Sequence, residues 1–188
     1  MLNNPHSRLA RITMKVLGID PGYDRLGIAV VEKSDSRSKE IVLYSACFTT
    51  SAKDDFYARL VAVGNEIARV LELYKPECLG IESLFITKNQ KTAMHVAETR
   101  GVIAYESVKR GLSLYEYTPG QIKIAVTGHG ASDKSQVIKM IPLLVKLDEA
   151  TDVKPGSKPG KKTAKLDDEY DAIAVALTCI AHEFNRKK

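Results

Sequence analysis

The chain has 188 residues, with 28 Lys and Arg against 23 Asp and Glu, a formal net charge of +5, 44% hydrophobic and 27% charged residues. That composition and length suit one soluble domain with a sizeable core, which excludes a staple-dependent mini-protein and intrinsic disorder as defaults. No apolar run approaches the roughly 18 residues of a membrane span, and three scattered cysteines (Cys47, Cys78, Cys179) form neither a disulfide framework nor a zinc ribbon, which points to a reducing, cytoplasmic setting.

Residues 1–13 lack the apolar stretch of a secretory signal and read as a disordered lead. Met14–Ile19 is a short apolar strand that stops at the turn signal Asp20-Pro21-Gly22. Leu26–Glu32 and Ile41–Phe48 are rich in β-branched residues and complete an antiparallel meander. From Phe56 the period changes: Phe56, Leu60, Val63, Ile67, Val70 and Tyr74 recur at three and four, an amphipathic helix that ends before Pro76. Glu77–Glu82 is a buried-type strand. A helix over about Asn89–Lys109 carries a stripe of mostly small residues, Met94, Ala97, Gly101, Ala104 and Val108, suited to close approach by another element, either a second subunit or the sheet of the same chain. Leu112–Tyr117 makes a fifth strand, and Thr118-Pro119 opens a short helical turn through Val126.

Asp133 with Gln136 reads as a capping box for a helix to about Leu147, in which Pro142 requires a kink or a new turn, because an interior proline costs roughly 3 kcal/mol. A lysine-rich loop over 148–165 follows, then a last helix over about Leu166–Phe184 and a basic tail at 186–188. The order predicts one α/β domain over 14–185, with a five-stranded mixed sheet and helices on both faces. Five lysines lie between Lys154 and Lys165; without them 23 basic residues (28 less 5) balance 23 acidic ones. The charge excess therefore sits in one loop, either a solvated run or a DNA contact, and identifies no function by itself.

Four carboxylates carry more information. Asp20 and Glu82 close two apolar strands, where open α/β sheets place ligands. Each has a plainer reading, as turn chemistry for Asp20 and as an exposed strand end for Glu82. Asp168 and Asp171, three apart, share a face of the last helix; acids in a first turn also favour the helix dipole, but Asp171 falls a turn later in an apolar stretch. Brought together, four carboxylates repel unless protons or cations neutralise them, and oxygen-only ligands suit Mg²⁺ or Mn²⁺. The four histidines (His6, His95, His129, His182) lack zinc-type spacing.

The motifs GIDPG (Gly18–Gly22), IESLF (Ile81–Phe85), KNQKTAMHVAETRGV (Lys88–Val102), YTPGQIKIAVTGHGASDKSQV (Tyr117–Val137) and DDEYDAIAVALT (Asp167–Thr178) stand in order along the chain. Through them the sequence resembles the RuvC-type Holliday junction resolvases of the ribonuclease H-like superfamily, over Met14 to His182. The resemblance implies a ribonuclease H-like fold and a catalytic, metal-binding tetrad of Asp20, Glu82, Asp168 and Asp171, its D-x-x-D pattern selecting Asp168 over Asp167. It implies two Mg²⁺ per site, with Mn²⁺ able to substitute, and paired nicks in opposing strands of a four-way junction. It further implies a homodimer, the branch-migration partners RuvA and RuvB, and DNA contacts by Phe85, Lys88, Lys123 and Lys134. The connection 148–165 is longer than is usual in the family. Two rival readings are an actin-like phosphate-binding ATPase, which needs a second Asp-x-Gly hairpin and a duplicated domain, and a junction-binding module without catalysis.

Overall fold

The computed structural model describes residues 13–34, 38–84, 90–147 and 167–184. All but Thr13 of the expected lead over 1–13, the basic loop 148–165 and the tail 186–188 lie outside them. The meander forms as β1 (Met14–Asp20), β2 (Arg25–Lys33) and β3 (Glu40–Thr49), each paired antiparallel to the last. Next come α1 (Phe56–Tyr74), β4 (Cys78–Glu82), α2 (Gln90–Val108), β5 (Ser113–Tyr117), α3 (Pro119–Thr127), α4 (Lys134–Leu144), β6 (Val145–Leu147) and α5 (Asp167–Glu183). The sheet order is β5-β4-β1-β2-β3-β6.

The sheet thus has six strands where five were expected. The helix predicted to run to Leu147 stops at Leu144, two residues after Pro142, and Val145 is already extended (φ −112°, ψ 158°). Proline removes a backbone donor and crowds the preceding turn, so the chain leaves the helix and pairs Val145–Leu147 in parallel with Glu40–Val42 at the start of β3. The other helix boundaries follow local chemistry. Asp55 caps α1 through Tyr57 and Ala58, and Lys75 closes it in the left-handed conformation ahead of Pro76. Thr118 and Asp133 begin α3 and α4 with reciprocal capping boxes to Gln121 and Gln136.

Strand alternation divides the core. Leu17, Ile19, Leu26, Ile28, Leu79 and Ile81 pack beneath α1 and α2. Met14, Val16, Ala29, Val31 and Cys78 face α3, α4 and α5. Of these, α5 is buried over nearly its whole length, from Ala172 to Ile180. It lies close to the sheet because the strands lack side chains beneath it. A Cβ at Gly18 would come 2.7 Å from the Ala176 Cβ, and one at Gly27 would strike the Asp168 backbone carbonyl. Small residues on both surfaces set this distance.

Around the amino end of β1, charges pair locally: Lys15 with Glu32 at 3.9 Å and Lys33 with Glu40 at 2.9 Å. The carboxyl ends of β1, β3 and β4 all fall on the opposite edge, since β1 is parallel to β4 and two antiparallel steps from β3. Among the described residues no helix is long and apolar enough to cross a membrane.

Candidate active site

Alternation fixes which side chains meet α5 at that edge. Asp20 follows Val16 and Gly18 on the α5 side of β1, Glu82 follows Cys78 and Gly80 on β4, and Arg25 precedes Gly27 on β2. Gly27 is the register partner of Asp20 and lies under the backbone of Asp168. The first turns of α5 therefore rest above the strand ends, and Asp168 and Asp171, one turn apart, come down to the strand-borne acids.

The electrostatics record this gathering. Asp20 is pushed up to about 7, first by burial, then by the charges of Asp171, Glu82 and Asp168, with Lys134 opposing. Glu82 is raised by burial and by Asp171. Asp171 is raised by burial, although Lys134 works in the other direction through a hydrogen bond and its charge. Buried carboxylates that raise one another call for positive charge.

Two side chains of the protein supply part of it. The Lys134 Nζ, from the first turn of α4, lies 3.0 Å from an Asp171 oxygen and 3.5 Å from Asp167. Arg25 forms an ion pair with Asp168, which also accepts a hydrogen bond from the Cys47 thiol at 3.4 Å. Burial, then that hydrogen bond, push the Cys47 thiol up, so it serves as a donor rather than a nucleophile. Among the described residues no three His, Cys, Asp or Glu side chains stand close enough to enclose an ion as they are. Lys134 and Arg25 hold Asp171 and Asp168 from the side instead. The donor set itself, four oxygen ligands partly buried and under mutual repulsion, fits a hard divalent cation.

Beside the carboxylates opens a cavity of about 220 Å³ lined by Glu82, Pro119, Ile122, Lys123, Lys134, Val137 and Asp171. Lys123 and Lys134 thus face the same space as two of the acids. Asp167 projects outward, its side chain 63% exposed against 21% for Asp168. Phe85 and Lys88 lie outside the described residues. Sequence reasoning missed Arg25 and Cys47. Their signal was the period-two alternation of β2 and β3, which places both on the α5 face, as the pairing of Cys47 with Gly27 shows.

The family model described as "Crossover junction endodeoxyribonuclease RuvC" matches residues 16–179. A protein of that name from Thermosipho melanesiensis is 43% identical over 170 residues, covering 90% of this chain and 98% of its own. Another from Caldanaerobacter subterraneus subsp. tengcongensis is 41% identical over 172 residues, covering 92% and 94%. Among solved structures, Thermus thermophilus RuvC superposes with a TM-score of 0.74 at 27% identity, over 93% of this chain and 97% of that one. The same protein in complex with a Holliday junction substrate gives a TM-score of 0.73 at 28% identity, over 93% and 95%.

Proposed function

The chain belongs to the RuvC family of crossover junction endodeoxyribonucleases, and from that premise we propose that it resolves four-way DNA junctions with Asp20, Glu82, Asp168 and Asp171 as its catalytic, metal-binding residues. The observation that supports the assignment is the gathering of Asp20, Glu82 and Asp171 at the ends of β1, β4 and α5, each raised first by burial and then by a neighbouring acid, a setting that favours a bound proton or cation. Neither rival reading gains support. DNA cleavage by this family depends on divalent metal in general terms; two Mg²⁺ ions, with Mn²⁺ as substitute, are our reading for this chain. When bound, such ions supply Lewis-acid stabilisation of the attacking and leaving oxygens of an in-line phosphodiester displacement.

The protein's own groups do the rest. Asp20 and Glu82 are fixed on strand ends and give a rigid half of the donor set; Asp168 and Asp171 close it from α5. Lys134 offsets part of the cluster's charge and, with Lys123, lines the cavity beside Glu82 and Asp171, where the phosphate backbone would be neutralised. Phe85 and Lys88, from the segment after Glu82, are assigned to stacking on a junction base and to backbone contact.

Two opposing nicks require two sites, and the chain offers a surface for pairing. The small-residue stripe of α2 faces outward: Met94 is 62% exposed, Val108 54%, and a Cβ at Gly101 would meet open space. Inward, α2 uses Thr99, Ile103 and Ser107. We assign the outward stripe to a second copy of this chain. RuvA and RuvB as partners and a cytoplasmic location go with the same reading.

The test is a synthetic four-way junction with Mg²⁺, set against a linear duplex. Wild type should give symmetrical nicks on the junction, and Asp20→Asn should bind it without nicking. Cleavage that survives Asp20→Asn overturns the tetrad.

A further inference from the structure

A second cavity opens on the same edge of the sheet but on its other face. It encloses about 290 Å³ and is lined by Tyr23, Phe56, Arg59, Lys91, Thr92 and His95. Three segments meet there: Tyr23 lies three residues beyond Asp20, Phe56 and Arg59 are on the first turn of α1 after β3, and Lys91 to His95 are on the first turns of α2. No acid is among the lining residues.

The chemistry of the lining is consistent. Phe56 and His95 stack at 3.8 Å between ring centroids, and Tyr23 stands edge-on to both, at 5.8 and 5.1 Å. Arg59 lies over the Tyr23 ring at 4.8 Å. It is held there by Thr50 (2.8 Å), by the Tyr23 carbonyl (3.4 Å) and by an ion pair with Asp24. Its side chain is only 10% exposed, so the guanidinium is a fixed group and not a trailing surface charge. Lys91 is exposed and pairs with no carboxylate among the described residues. A rigid aromatic wall beside a fixed cation and an uncommitted ammonium fits an anion joined to a flat or sugar-like body.

We propose that this cavity seats one nucleotide of a junction arm, its phosphate on Lys91 and its sugar or base against Tyr23, Phe56 and His95, with Arg59, paired to Asp24, holding the Tyr23 ring in place. The inference rests on the function proposed above and extends it to a second DNA-binding subsite outside the carboxylate cluster. Placement supports it. The carboxylates and the cavity lie at the same edge of the sheet, on its two faces, so a strand that crosses this edge passes from one to the other. The subsite sets where the strand lies over the acids, without touching the reacting phosphate.

The experiment measures junction binding in EDTA as a function of salt, with the full chain and a synthetic four-way junction. Lys91→Ala should lower the magnitude of the log–log salt slope by about one and weaken binding severalfold. Ethylation interference at one phosphate other than the one at the nick should disappear in that variant. Phe56→Leu should weaken binding with the slope unchanged, because it removes the aromatic face and no charge. Lys109→Ala, at the far end of α2, is the control and should leave the slope unaltered. An unchanged slope in Lys91→Ala, or an equal fall in Lys109→Ala, overturns the subsite. Wild-type cleavage with Mg²⁺ is scored separately, so loss of this inference and loss of the nuclease reading are distinguishable.

Discussion

Asp20 shows what the cluster costs the fold when no cation is bound. Its carboxyl is raised from 3.8 to about 7 in the folded protein, so between those values the folded state holds a proton that the unfolded chain has released. Stability of the metal-free protein must then fall as pH rises through that window, by on the order of 4 kcal/mol if Asp20 acts alone. Glu82 and Asp171, also raised, act in the same direction. Thermal unfolding in EDTA should show a higher Tm at pH 5 than at pH 8, and Asp20→Asn should remove much of the difference. A flat profile in wild type would mean that the acids stand further apart than described. The family's D-x-x-D pattern, not helical spacing, singled out Asp168, because Asp167 at four residues and Asp168 at three both share a face with Asp171; the Asp167 side chain is 63% exposed and lies 3.5 Å from Lys134. Strand alternation puts Arg25 and Cys47 on one face of the sheet, but only the placement of α5 over that face gives them Asp168 as a partner.

At the scale of elements, α5 and its glycine bed form one device. The Asp168 carbonyl rests where a Cβ on residue 27 would be, and residue 27 pairs with Asp20 across the β1–β2 ladder. Gly27→Ala should therefore lift the first turn of α5 and destabilise the protein by about 1–3 kcal/mol, the usual range for overpacking. It should depress cleavage more than its loss of stability explains, measured as nicking rate at a temperature where the variant is fully folded. Wild-type nicking by a destabilised Gly27→Ala would show that the acids do not depend on that contact. The last helix was legible from its acids and its two apolar stripes, and the caps of α3 and α4 from their residue pairs. The sixth strand was not. Pro142 announced an interruption, but three residues of strand are too few to show a period, and their partner at the start of β3 lies about a hundred positions away in sequence.

For the whole molecule, the family was readable because five motifs occur in register, and the matched region accounts for most of the chain. Oligomeric state is the part that topology alone leaves to experiment. If the exposed α2 stripe is the pairing surface, Ala97→Glu should convert a dimer to a monomer in sedimentation velocity at micromolar concentration. The isolated subunit should still bind a junction, but its two nicks should no longer be paired. A dimer that persists in Ala97→Glu would move the interface elsewhere.

The ion pairs around the amino end of β1 bear on how the protein meets DNA. Lys15 with Glu32 and Lys33 with Glu40 cancel charge within a few ångströms, so that end projects little field beyond a screening length. At the other end Lys91 lines the second cavity and Lys123 the one beside the acids, while Lys134 is paired with Asp171 and Asp167. With a divalent cation offsetting the four acids, a polyanion approaching from solution would experience a torque as well as an attraction, and would meet the protein with the cleaving edge turned toward it. Orientation, more than total charge, is what the distribution of lysines contributes to the rate of capture.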